Sequence, residues 1–373
     1  MIQTNNHHLN YANISPQRIA TSALSLDPKS LLYAEQEKLL VKRGKYEGEL
    51  MAKSQHQPVP LEPNVVKGAS GGGGFGGSGG SGGGGGSAKK NLLKTQAKAH
   101  AKVLKERGVV RIDNVLSKDL ADTIRERVYQ MRQESEELVQ SGSLPSLARF
   151  ADVLLKENRC DMTIPLGTTC DDKVEEWVAQ ALASVLVDSP VGNTYQNLLG
   201  KDAILREWSC LMSDPSSQRQ VMHPDTPYQE EPVLYTCFIA LQDIDLDMGP
   251  TTWMPETHVS QEIHDQFQDD TKSSGNNDLL SPKDELLMSK PTVLGTISKG
   301  CCAIFDSRLL HAGGANTSTT SRALLYCTFQ NPKVTNVGNP GSIRNNLIGQ
   351  WTLQKLQKEL TKYQKGKPSE VYV

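Results

Sequence analysis

Along residues 120–131 the apolar positions Leu120, Ile124, Val128 and Met131 recur at steps of four, four and three. That is one stripe of an amphipathic helix, with Ser117 placed to cap it. Residues 88–107 also carry a helical pattern, and Gly108 follows as its natural stop. Residues 109–115 (VVRIDNV) then alternate apolar and polar positions, as a strand does. A further helix is predicted over residues 174–186, and strands over 204–212 and 233–241.

From residue 233 to 330 the apolar runs are short and are separated by Gly, Pro, Asn and Asp. This pattern suits an antiparallel sandwich better than a parallel sheet with crossover helices. The exception is residues 268–290, too polar for a central strand and read as an excursion over the rim or a lid.

The first seventy residues are mostly polar. Residues 31–50 have apolar positions at helical spacing and predict one short helix with weak tertiary anchoring. Thirteen of the sixteen residues in 71–86 are glycine, which predicts a flexible coil. The tract contains Gly-x-Gly-x-x-Gly matches, but no strand precedes it and no P-loop Lys-Ser/Thr follows, so a phosphate cradle is excluded. The expected organisation is a polar extension over 1–70 that adds nothing to the chemistry, a linker over 71–87, a domain over 88–362 and a tail over 363–373.

Charge narrows the partners. Forty Lys and Arg face 42 Asp and Glu without a long single-sign block, which gives no footing for a nucleic-acid partner. No stretch reaches membrane-spanning length, and no apolar secretory core opens the chain. The seven cysteines are scattered and odd in number, as expected of reduced thiols in a cytoplasmic protein. None is spaced as CxxC, which argues against structural zinc.

Candidate chemistry lies in the sandwich, which carries His223, His258, His264 and His311. His223-Pro224-Asp225 puts an imidazole and a carboxylate two residues apart, so on extended chain both emerge on one face and can bind one ion. One more histidine from a neighbouring strand completes a facial triad. Two imidazoles and a carboxylate leave three positions open on an octahedral metal, which suits non-haem iron(II) and dioxygen chemistry. Residues 300–322 (GCCAIFDSRLLHAGGANTSTTSR) supply His311 and, eleven positions on, Arg322, whose fork matches a carboxylate.

Three ordered motifs now stand together: His223-Pro224-Asp225-Thr226, the run Gly249-Pro250 to Pro255-Glu256-Thr257-His258, and Phe305-Asp306 through His311 and Asn316 to Arg322. In these, over roughly residues 108–330, the chain resembles the phytanoyl-CoA dioxygenase-like family of iron(II)/2-oxoglutarate oxygenases. The resemblance implies a double-stranded β-helix (jelly-roll, cupin-like) core within a mainly β, α+β fold. It implies that His223, Asp225 and His311 bind iron(II), that Arg322 pairs with the distal carboxylate of 2-oxoglutarate, and that dioxygen is consumed. Gln220 and Tyr235 are further candidates for contact with the bound 2-oxo acid. Glu256 departs from the family, which usually has glycine there.

The implied reaction converts 2-oxoglutarate to succinate and carbon dioxide while oxidising an aliphatic carbon of a small molecule. Hydroxylation is the default, and desaturation or oxidative cyclisation, as in kainoid amino acids, are variants. Related halogenases replace the triad carboxylate with a small residue, so Asp225 argues against halogenation. The rival expectations are a cupin-like protein using another metal and a non-catalytic binding module.

Blander roles are expected elsewhere. His258 is structural, Asp306 and Arg308 form an ion pair or turn contact, and Asn316 shapes a turn. Trp208 and Trp253 are expected near the barrel mouth, and an Arg159–Asp161 pair at the surface is as natural as a role for Arg159 as a cation presented to an acidic substrate.

Overall fold

The computed structural model describes residues 28–64, 85–151, 153, 156–167, 174–271, 280–338 and 349–372. The polar stretch 1–23, most of the glycine tract and Cys170 lie outside the described residues. The chain opens with α1 (Pro28–Ala52), β1 (Val59–Pro60), α2 (Gly85–Arg107), β2 (Val109–Ile112) and α3 (Lys118–Gln140). Next come β3 (Phe150–Ala151), β4 (Arg159–Thr163), α4 (Glu176–Ala183), α5 (Val191–Leu199), β5 (Ile204–Ser213) and β6 (Leu234–Ala240). It continues through β7 (Thr251–Trp253), α6 (Gln261–Gln268), α7 (Pro282–Ser289) and β8 (Val293–Leu294). It finishes with β9 (Cys302–Asp306), β10 (His311–Gly313), β11 (Arg322–Gln330) and α8 (Leu353–Gln364).

The strands form two sheets. The larger is antiparallel throughout, in the order β2-β9-β6-β11-β5-β4-β3, and the smaller runs β1-β8-β7-β10. The result is the expected α+β fold with a jelly-roll core. Alternation along each large-sheet strand sends side chains into two different layers. Cys237 and Ile239 of β6, Ile304 of β9 and Leu325 and Cys327 of β11 join Ile124, Val128, Leu182, Tyr195 and Leu356 of the helices. Phe238, Phe305, Leu324 and Tyr326 point the other way, against Trp253 and Val293 of the small sheet. Both faces are therefore covered, which is why β6 and β11 are buried at every position.

The caps act as the sequence indicated. Ser117 accepts from the N–H of Leu120 at 3.2 Å, and Ile124, Val128 and Met131 are buried beneath α3. The six described cysteines other than Cys170 are free thiols. Among the described residues no helix is long and apolar enough to cross a membrane.

Two expectations need correction. Helix α1 is well anchored: Leu50 and Met51 pack with Met222, Met254, Leu310 and Ala312 on the outer side of the small sheet. The described ends of 268–290 are not a loose excursion. Ser281 caps α7, accepting from Asp284 N–H at 3.2 Å, and Leu286 and Leu287 are buried in that same layer. The polar residues of this segment hid a helix that docks through two leucines and through Lys283 and Asp284, which pair with Glu47 and Arg43 of α1.

Candidate metal and co-substrate site

His223 and His311 meet backbone to backbone across the mouth of the sandwich. Each donates its N–H to the other's carbonyl at 2.9 Å, and the rings stand 4.6 Å apart, centre to centre. Asp225 arrives beside them because its N–H and that of Thr226 both donate to Ser307 O, at 2.8 and 3.2 Å. The Thr226 and Ser307 hydroxyls, 2.7 Å apart, close the same junction. Asp225 Oδ1 then lies 3.5 Å from His311 Nε2 and 4.0 Å from His223 Nε2. Cis ligands on a metal with bonds of about 2.1 Å are about 3 Å apart, so the three atoms, which lie within 4.8 Å of one another, are set wider than one octahedral face and would close onto an ion by side-chain rotation. Among the described residues they are the only group of three or more acidic, His or Cys side chains so arranged.

The protonation pattern suits the same purpose. His223 Nδ1 lies 2.8 Å from Val221 O and His311 Nδ1 2.9 Å from Leu309 O, so each Nδ1–H donates to its carbonyl. Each Nε2 is thereby left with a free lone pair toward Asp225. Burial is the main force that lowers both imidazole pKa values to about 4, so both rings are neutral near pH 7. Burial also raises the Asp225 carboxyl pKa. A neutral imidazole pair does not offset a carboxylate charge there, and a divalent cation does. Phe305, 4.9 Å from the His311 ring, fixes its tilt.

Arg322 opens β11 on the face that continues into Leu324 and Tyr326, inside the sandwich. It is only 1% exposed, yet its hydrogen bonds go to neutral acceptors: Nη1 to Gly249 O and Nη2 to Ser213 Oγ at 3.1 Å. Among the described residues its Nε has no partner. Burial, then the nearby positive Arg159, lowers its pKa to about 9. A buried guanidinium with an unused N–H is a ready seat for a carboxylate.

Gln220 and Tyr235 separate. Gln220 is buried beside the site, its Oε1 accepting from Gly313 N–H at 2.9 Å, and so holds β10 two residues past His311. Tyr235 must be withdrawn as a 2-oxo-acid contact. It lies in register with Asp306 and packs in the helical layer with Cys237 and Ile239, on the strand face opposite Phe238. Strand alternation, not proximity in sequence, decided this.

Sequence reasoning missed a line of polar side chains on the inner face of the large sheet. Arg159, Ser213 and Arg322 are in register, and Asp161 accepts from the Tyr326 hydroxyl at 2.7 Å. Thr328 pairs with Glu207, and its hydroxyl lies 3.0 Å from that of Thr236. Burial raises the Asp161 carboxyl pKa to about 7 and that of Glu207 to about 8, the latter helped by the Asp161 and Asp225 charges. Arg159 is buried and Asp161 half-buried, so the surface-pair expectation fails. The available signal was polar residues two apart, Arg159 and Asp161 or Glu207 and Ser209, within otherwise apolar strands.

The structural roles hold. Arg308 clasps Asp306 through Nε and Nη2 at 2.9 and 2.7 Å, and Nη1 donates to Gln229 O and Glu230 O. Both side chains are buried, so Asp306→Asn leaves an uncompensated cation and should cost about 3–5 kcal/mol, read as a lower urea midpoint. Asn316 braces its turn through Ser213 O and Thr320 O, each at 2.9 Å. His258 lies 3.2 Å from Lys105 O, away from the three-atom group. Glu256 adopts φ of 67°, the left-handed conformation that glycine takes without strain, so the turn survives the substitution. Trp253 is buried in the interior beside Phe305, whereas Trp208 faces the helices.

Among solved structures the chain is similar to SnoN, a non-heme alpha ketoglutarate dependent epimerase from nogalamycin biosynthesis, with 15% identity and a TM-score of 0.42 over 64% of this chain and 84% of that one. It is similar to the carbocyclase SnoK from nogalamycin biosynthesis, with 19% identity and a TM-score of 0.40 over 67% and 89%. It is also similar to AviO1 from Streptomyces viridochromogenes Tue57, with 16% identity and a TM-score of 0.41 over 64% and 96%. No curated protein matches. The family model described as phytanoyl-CoA dioxygenase covers residues 104–324, more than half of the chain, and the protein belongs to that family.

Proposed function

We propose that the protein is an iron(II)- and 2-oxoglutarate-dependent dioxygenase that oxidises an aliphatic carbon of a small molecule. Hydroxylation is the default outcome, and ring closure or desaturation are variants of it. His223, Asp225 and His311 would hold the metal, and Arg322 would seat the distal carboxylate of 2-oxoglutarate. The observation that carries this reading is the pairing of two neutral Nε2 lone pairs and one carboxylate with a buried arginine that has an unused N–H.

When bound, iron(II) with 2-oxoglutarate would activate dioxygen, which is the oxidant both for the decarboxylation of 2-oxoglutarate to succinate and carbon dioxide and for the substrate carbon. The chain's own groups do the rest. Backbone carbonyls of Val221 and Leu309 fix both imidazole tautomers, and Ser307 O holds the backbone of Asp225. Gln220 holds Gly313 in place. The apolar interior around Trp253 and Phe305 limits water. The Asp225 carboxylate occupies the place that a halide needs, which favours oxygenation.

Anaerobic addition of 2-oxoglutarate to the iron(II)-loaded protein tests this directly. A visible metal-to-ligand charge-transfer band, followed on admitting oxygen by succinate formation with candidate substrates, is expected. Metal uptake without the band would instead favour a hydrolase or isomerase using another metal.

A further inference from the structure

Helix α1 lies before the family-matched stretch 104–324, yet it contacts the backbone immediately ahead of His223. Gly44, Glu47, Gly48 and Met51 are spaced by three, one and three and so share one helical face. A Cβ on Gly44 would stand 2.6 Å from the Arg219 carbonyl oxygen, and one on Gly48 would stand 3.0 Å from the Arg219 side chain. The two glycines therefore notch the helix so that it can lie on segment 219–222.

That close approach brings Glu47 to the segment that carries His223. The Glu47 side chain is fully buried, and its Oε2 accepts from Met222 N–H at 2.7 Å. Its Oε1 is held by Arg43 Nε at 2.9 Å and by Lys283 Nζ at 3.0 Å. Arg43 in turn donates to Asp284 at 2.9 Å, tying α1 to α7. Met51 packs with Met222, and with Leu310 and Ala312 on either side of His311.

We propose that Glu47 is a positioning residue of the metal centre: its carboxylate holds Met222 N–H and so sets the backbone from which His223 reaches the ion. A helix outside the family domain is thereby a working part of the site. Met222 N–H is buried, and without its acceptor this segment must shift to find another. The inference rests on the assignment of His223, Asp225 and His311 as ligands.

The test compares two full-length, metal-free double variants titrated with cobalt(II) and followed by the visible ligand-field spectrum. Glu47→Gln with Lys283→Met keeps an acceptor for Met222, and Glu47→Leu with Lys283→Met removes it, at equal net charge and similar volume. The leucine form should bind cobalt(II) about ten-fold more weakly than the glutamine form, with a displaced spectrum. Equal affinities and spectra would overturn the proposal while leaving the ligand set standing. Wild-type protein that takes up no cobalt would overturn the ligand assignment and this proposal together.

If the leucine form does not fold, hydrogen exchange on the wild-type chain decides. Coupling is reciprocal, so cobalt loading must raise amide protection over residues 44–51. Unchanged protection would overturn the proposal.

Discussion

His311→Ala is expected to remove 2-oxoglutarate turnover, lowering succinate formation more than about a hundred-fold. Changing a mere outer partner of a metal ligand already costs roughly 10- to 100-fold, and His311 would be a ligand itself. The fold should survive. The bridge between residues 223 and 311 is made by backbone groups that alanine retains, and the ring's neighbours are the His223 ring and Phe305. The metal-free variant should lose only the ordinary cost of a point substitution, about 0.5–3 kcal/mol, which thermal unfolding measures. Full turnover in this variant would remove the metal assignment.

Arg322→Met should act on the co-substrate alone. A hydrogen bond to a charged group contributes about 1.5–3 kcal/mol, so the Kd for 2-oxoglutarate should rise roughly 10- to 150-fold. The rate at saturation should change much less, because the distal carboxylate is held equally in ground and transition states. Discrimination against 2-oxo acids without that carboxylate should fall in parallel. Unlike most core charges, this one can be removed without harm to the fold. Burial and Arg159 already hold the guanidinium pKa down to about 9, which means that its charge opposes folding. Metal-free Arg322→Met should therefore unfold at no lower temperature than wild type. An unaltered Kd would place the carboxylate elsewhere, with Arg159 as the next group to test.

Both predictions concern residues that could be read from the chain before any fold was known. His223 and Asp225 were legible as a pair because residues two apart on extended chain share a face, although Asp225 lies in a bend that Ser307 O holds in place. His311 and Arg322 became specific through their order with the turn motifs, and order is also written in the chain. The strands β2, β5 and β6 and the cap of α3 were legible for the same reason: alternation, strand-forming composition, helical spacing and a capping hydroxyl all act between near neighbours.

Tertiary structure decided the rest. Tyr235 lies on a correctly predicted strand, but the side on which the helices packed turned it away from the interior and toward Asp306. Arg159, Asp161 and Glu207 face the interior only because β4, β5 and β11 pair in one particular register. Helix α1 was legible as a helix but not as an anchored one. Its docking face is two glycines, a glutamate and a methionine, and glycine adds nothing to a hydrophobic pattern. What those glycines provide is room, and room is defined only by the backbone of 219–222 lying against them.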